Sequence, residues 1–174
     1  GSRAVRVDGQ GCVSGADIAV EVLAGCLDRI DTGKHPLLIG RGLEPLAMSM
    51  RERGGDPRRG SRFAEAGGVG RPWPGPEPCS SALVRLPKER EALGFALAGA
   101  ASCVPPGGML VIAGANAEGV RSSPRQLEAV AEDIETIDIR SHCRVIAGRR
   151  RADPLPGVGL SLDAWRRTVR LDVD

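Results

Sequence analysis

The stretch Gly107–Leu127, GGMLVIAGANAEGVRSSPRQL, decides the fold class. Met109–Ala113 is an uninterrupted apolar run containing Val and Ile, the pattern of a strand covered on both faces. Gly114-Ala-Asn-Ala-Glu-Gly119 is too polar and too rich in glycine to continue it, so a loop comes next. Ser122 or Ser123 can cap the next helix, with Pro124 in its first turn. Upstream, Ala82–Leu86 is a second apolar run, ended by Pro87-Lys88-Glu89. A helical pattern over Lys88–Ala101 then leads into Pro105-Pro106-Gly107-Gly108. Strand, helix, glycine turn, strand, loop and helix in that order spell an α/β fold, in which ligands bind at the loops after the strands.

The same reading extends to both sides. Asp17–Leu27 has apolar residues at helical spacing, and Leu37–Ile39 is a short buried strand ending in the loop Gly40-Arg41-Gly42. Glu44–Arg53 returns as a helix that tolerates Pro45 in its first turn, and Gly54-Gly55-Asp56-Pro57 stops it. Arg58–Ser81 is dense in Gly and Pro and reads as a long connection with one short strand near Ser61–Ala64. Gln126–Glu135 continues the helical spacing. Ile137–Ile139 and Cys143–Ala147 are strands paired late in the sheet. These elements predict an α/β domain over residues 1–152, with 153–174 as a loop and terminal segment.

Composition narrows the function classes. At 174 residues the chain can bury a proper core, but only 2% of it is aromatic and none of it is Tyr, so that core must be aliphatic. The same shortage argues against a base-stacking platform for single-stranded nucleic acid. Net charge is only +2, yet positive charge is clustered at Arg51–Arg62 and again at Arg144, Arg149, Arg150 and Arg151. The five cysteines form no CxxC pair, which speaks against zinc, and their odd number speaks for reduced thiols in a cytoplasmic protein. No apolar run has the roughly 20 residues of a membrane span.

Few residues offer chemistry. Asn116, Glu118 and Arg121 are polar residues on the loop after Met109–Ala113. They either form a ligand or partner site, or belong to a structural loop in which Asn116 and Gly119 supply unusual backbone angles. His35 and His142 have no partner at a catalytic spacing and read as turn or surface residues. Trp73, between prolines, is an anchor for the long connection. Trp165 packs either on the domain or on a neighbour.

With these residues in view, the chain resembles the amino-terminal half of the ribosomal RNA small-subunit methyltransferase C family. Those proteins are guanine-N2 methyltransferases with two tandem methyltransferase-like domains. The carrying features are Leu86-Pro87-Lys88 at a strand end, the long helix, and Gly114-Ala-Asn-Ala-Glu-Gly-Val-Arg-Ser122. The last is similar to the family's Gly-x-Asn-x-x-Gly-[Val/Ile]-[Lys/Arg]-Ser segment, and Asp138–Gly148 is similar to the family's next region. The resemblance implies a Rossmann-like sheet flanked by helices, reduced over Arg58–Ser81.

It also implies absences. In a methyltransferase of this class, Gly40-Arg41-Gly42 stands where a glycine-rich loop meets S-adenosylmethionine; here Arg41 separates its two glycines. Glu65 is the nearest acid for the ribose hydroxyls. Pro87 and Lys88 stand where an Asn/Asp-Pro-Pro-aromatic motif would hold the target amine, and only the proline matches. The implied protein is a degenerate domain that binds no donor, has no catalytic residues of its own, and supports a catalytic domain that would begin beyond Leu171-Asp-Val-Asp. Arg121 and Arg149, Arg150 and Arg151 are then its RNA contacts, with rRNA as the partner. Two alternatives stay open. One is an active small enzyme binding S-adenosylmethionine at Gly40, Arg41 and Gly42, with Pro87 and Asn116 in its crevice. The other is an interaction domain that docks or forms a homodimer through an apolar patch near Trp165.

Overall fold

Met109–Ala115 forms a seven-residue strand in which every residue is buried, and the sheet is built outward from it. The computed structural model describes residues 15–60 and 73–165. Within them the strands are β1 (Pro36–Ile39), β2 (Arg58–Gly60), β3 (Ser81–Arg85), β4 (Met109–Ala115), β5 (Ala131–Arg140) and β6 (Cys143–Arg150). The helices are α1 (Gly15–Ala24), α2 (Glu44–Glu52), α3 (Arg90–Cys103) and the single turn α4 (Ser123–Leu127). The six strands lie in the order β2-β1-β3-β4-β6-β5. The first four are parallel, and the β5–β6 hairpin enters antiparallel against β4.

Side chains alternate across this sheet and split the core in two. Met109, Val111, Ala113 and Ala115 of β4 join Leu38, Leu83, Val145 and Ala147 beneath α1 and α2. Leu110 and Ile112 join Ala82, Val84 and Ile146 beneath α3 and α4. Fully burying each of these Leu, Val and Ile side chains contributes roughly 1.5–3 kcal/mol. The aliphatic, two-layered covering expected of the composition is what the α/β order delivers.

Most boundaries shift only by a residue or two. The exception is Gln126–Glu135, where a helix is expected and α4 ends at Leu127 and β5 begins at Ala131. Leu127, Val130, Ala131 and Ile134 do repeat at helical spacing, but β6 leaves an open edge that a hairpin partner fills. The strand is hard to see in the sequence because it is bulged. Its register slips between Glu132 and Glu135 and again between Thr136 and Asp138, and Asp133 sits at φ 53°. The bulges put Ile134, Ile137 and Ile139 out of strict alternation, so no period of two survives in the sequence. Ile137–Ile139 is thus the far part of one long strand. The short strand expected near Ser61–Ala64 falls outside the described residues; β2 at Arg58–Gly60 directly precedes it.

Among the described residues the aromatic side chains gather on α3. Phe95 takes the ring of Trp73 at 5.3 Å and that of Trp165 at 5.9 Å, both edge to face. Gly99 and Gly94 make room, since a Cβ at Gly99 would lie 3.0 Å from Pro74 and one at Gly94 would lie 3.4 Å from the Trp165 ring. Trp73 therefore does anchor the long connection. Trp165, whose indole N–H also donates to the Gly159 carbonyl at 2.8 Å, packs on the domain itself.

Ser141 and His142 join β5 to β6 at φ 52° and 59°, a two-residue turn with both central residues left-handed, as in type I′. Neither residue type favours that region, at a cost of about 1 kcal/mol or more each. Replacing the pair by Asn-Gly should raise stability by about 1 kcal/mol and the midpoint of thermal unfolding by a few degrees. A lower midpoint would mean that the Ser141 and His142 side chains stabilise the turn by contacts that outweigh its backbone cost.

Candidate functional site

Chain order reverses between β1 and β3, because β2 lies on one side of β1 and β3 on the other. In open α/β sheets ligands enter the crevice outside the carboxyl ends of the strands at such a reversal. Here the turn after β1 packs against the end of β3. Gly40, at the end of β1, has φ 128°, and a Cβ built on it would lie 2.7 Å from Arg85 Cβ and 3.3 Å from the Arg85 carbonyl oxygen. The bare side of Gly40 thus faces the end of β3 rather than a ligand-sized space. Gly42 has φ 70°, as a tight strand-to-helix turn requires, and the exposed Arg41 sits between them.

Arg85 is the residue that sequence reasoning missed. It is buried, 5% exposed, at the last position of β3. Its guanidinium donates to the Leu86 carbonyl at 3.0 Å and the Ala113 carbonyl at 3.4 Å, and reaches both Glu118 oxygens at 2.6 and 2.8 Å. Glu118 also accepts from the Ala115 N–H at 2.9 Å. Burial pushes the Glu118 carboxyl up, but the hydrogen bonds from Arg85 and from the Ala115 N–H, with the guanidinium charge, hold it below its ordinary value. The buried Cys143 lies beside this pair, and burial pushes its thiol up. Glu118 is therefore a structural member of its loop. Gly119 supplies the left-handed angle at φ 88°, while Asn116 is not among the positive-φ residues.

Asn116 gathers charge instead. Its Oδ1 accepts from Arg144 Nε at 3.2 Å and from Arg121 Nε at 3.4 Å, so one carboxamide holds two guanidiniums at the carboxyl end of the sheet. Its own N–H donates to the His142 carbonyl at 2.7 Å, which ties the loop to the hairpin turn. Ser122 and Ser123, expected to cap α4, donate to the Gly119 and Val120 carbonyls at 2.9 and 2.7 Å. Pro87 is half-buried and Lys88 exposed at the start of the next connection.

Arg149, Arg150 and Arg151 are not brought to Arg121. Arg149 pairs with Met109 at the opposite end of β4, roughly 20 Å away along seven residues of strand. Arg150 donates to the carbonyls of Ala101, Arg151 and Ala152, and Arg151 to that of Glu128, so both brace the fold. Arg149 donates to the Gly107 carbonyl from an exposed position. His35 faces Asp56 at 3.3 Å, and the exposed His142 sits in the turn. Glu65 lies outside the described residues, and β2 itself carries two arginines and a glycine. Among the described residues no helix is long and apolar enough to cross a membrane, and no three His, Cys, Asp or Glu side chains are grouped to hold a metal.

Comparison with known proteins agrees with this architecture. The solved T. thermophilus 16S rRNA N2 G1207 methyltransferase, in complex with AdoMet and guanosine, superposes with a TM-score of 0.62 at 17% identity. The match covers 78% of this chain and 41% of that one. TrmN from Thermus thermophilus superposes with a TM-score of 0.50 at 16% identity, over 74% of this chain and 48% of that one. Both likenesses speak to the fold. In sequence, the ribosomal RNA small subunit methyltransferase C of Marinomonas sp. (strain MWYL1) is 31% identical over 91 residues, 52% of this chain and 25% of that protein. Its counterpart in Pseudoalteromonas atlantica is 32% identical over 66 residues, 38% of this chain and 19% of that protein. The chain thus spans a quarter or less of the length of these relatives. The family described as Methyltransferase small domain N-terminal matches residues 61–165, which include the segments that carried the sequence resemblance, and the chain belongs to that family.

Proposed function

We propose that this domain transfers no methyl group itself and serves as scaffold and rRNA contact for a catalytic methyltransferase domain in a longer, cytoplasmic protein. The observation that carries the reading is the contact of Gly40 with Arg85. S-adenosylmethionine would need the bare backbone of that turn and an acid on the neighbouring strand. The turn is spent on packing, and the nearest buried charge is a guanidinium, an unsuitable neighbour for a sulfonium cation. The rRNA contact rests on Arg121 and Arg144, which Asn116 holds side by side as a fixed pair for phosphate oxygens. Arg149, at the other end of β4, extends the contact.

Calorimetric titration with S-adenosylmethionine and S-adenosylhomocysteine should give no heat up to millimolar ligand on folded protein. Saturable micromolar binding would overturn the reading and favour a small active enzyme. A small-subunit rRNA fragment should bind with strong salt dependence. Arg121→Ala with Arg144→Ala should weaken it about tenfold or more and lower the salt slope by about two. Unchanged affinity would remove the RNA role from this end of the sheet.

The Arg85–Glu118 pair should behave as a structural plug. Glu118→Gln should destabilise the chain by about 2–3 kcal/mol at neutral pH, because it leaves a buried guanidinium without its counter-charge. The Glu118 carboxyl is held below its unfolded value, so its contribution is full above that value and is lost as the pH falls through the lower, folded one. The gap between the parent chain and Glu118→Gln should therefore close in acid. A gap that is constant with pH would show that the charge of Glu118 is not what stabilises.

A further inference from the structure

Two buried cysteines meet where the long connection enters β3. The Cys79 N–H donates to the Cys103 carbonyl at 2.9 Å, joining a residue just ahead of β3 to the last residue of α3. Their thiols are neighbours, and the Cys79 thiol turns to the Glu77 carbonyl at 3.9 Å. The Cys103 thiol also donates to the Ala100 carbonyl at 3.4 Å. The guanidinium of Arg58, on β2, stands 4.0 Å from the Cys79 sulfur and is held there by the Pro78 carbonyl at 3.0 Å and by Glu77 at 3.4 Å. Cys79, otherwise buried, also lines a crevice of about 130 Å³ with Arg58, Gly60, Trp73 and Glu77.

The pair is electrically unequal. The neighbouring Cys103 thiol and the charge of Arg58 lower the pKa of Cys79, against its burial. The neighbouring Cys79 sulfur, together with burial, pushes Cys103 up. Cys79 is thus the more acidic thiol of the two.

We propose that Cys79 and Cys103 form a thiol redox site, with Cys79 the attacking sulfur and Cys103 the resolving one, and a peroxide as oxidant. The Cys79 thiolate attacks one peroxide oxygen. The O–O bond breaks, giving the Cys79 sulfenic acid and hydroxide. The Cys103 sulfur, losing its proton, then attacks the Cys79 sulfur and displaces hydroxide, which that proton converts to water. Two thiols are oxidised by two electrons and the peroxide is reduced. The disulfide would tie the start of β3 to the end of α3, and a dithiol reductant reverses it. At Cys26 the surroundings differ: its sulfur donates to the Asp138 carboxylate at 3.5 Å and accepts from Arg29 at 3.4 Å, and burial pushes its pKa up, as it does that of Cys143 beside Glu118.

The test is to treat the fully reduced chain with hydrogen peroxide at neutral pH, alkylate it, and map the peptides by mass spectrometry. The expected product links Cys79 to Cys103, forms at least tenfold faster in the folded chain than in urea, and disappears on dithiothreitol treatment. In Cys103→Ser, dimedone should label Cys79 as the sulfenic acid. Arg58→Gln, whose folding circular dichroism can check, should slow the oxidation roughly three- to tenfold. The proposal is overturned if both cysteines are recovered alkylated while other thiols oxidise. It fails equally if the link forms no faster in the folded chain than in urea.

Discussion

The buried guanidinium of Arg85 sets the terms for the carboxyl end of this sheet. A charge removed from water must be paired and hydrogen-bonded, and its donors dictate what surrounds it. The Ala113 carbonyl fixes it to β4, the Leu86 carbonyl turns the chain leaving β3, and Glu118 must fold back from the loop after β4. That return explains why Gly119 comes next in a left-handed conformation and why Glu118 also accepts from the Ala115 N–H. On the other side Gly40 has to be glycine, because the backbone and Cβ of Arg85 occupy the volume a side chain would need. One buried cation thus orders three loops that in a ligand-binding α/β protein would be free to shape themselves around a ligand.

The fold is legible in the sequence where burial dominates. Met109–Ala113, Leu37–Ile39 and, Arg85 apart, Ala82–Leu86 are apolar because both faces are covered. The sequence misleads where two periods coincide. Leu127, Val130, Ala131 and Ile134 satisfy a helix, yet the bulge at Asp133 allows the same residues to end a turn and begin an edge strand. The site is less legible still. Arg85 sits in a run otherwise apolar, and nothing local marks a charged residue as buried when its counter-charge is 33 residues away in sequence. Asn116 is visible as polar, but its function as the acceptor for two guanidiniums depends on Arg144 arriving from the hairpin.

The arginines show why clustering in sequence is a poor guide to clustering in space. Arg149, Arg150 and Arg151 are consecutive, yet strand alternation and the strand's end send them to different carbonyls. Arg121 and Arg144 are 23 positions apart in the chain, and antiparallel pairing of β6 with β4 brings them to one carboxamide. A guanidinium that donates to backbone carbonyls stabilises the fold but has fewer donors left for a phosphate. One bound through a single Nε keeps its two Nη groups for a partner, which is the geometry that Asn116 leaves to both arginines.

The two ends of the sheet therefore carry different physics. At the carboxyl end an internal ion pair joins the end of β3 to the loop after β4, and Arg121 and Arg144 stand together on Asn116. At the amino end two buried cysteines meet. Cys79 meets Cys103 below β3, Arg150 caps the end of α3 through the Ala101 carbonyl, and Phe95 holds Trp73 and Trp165 on the outer face of the same helix. Helix α3 is the common element, since Gly94 and Gly99 admit the indoles and its last residue supplies the second thiol. A change in the bond between Cys79 and Cys103 would act first on α3 and on the segment bearing Trp73. β4 separates that end from the Arg121–Arg144 pair, so only the rigidity of a strand buried on both faces could couple the two.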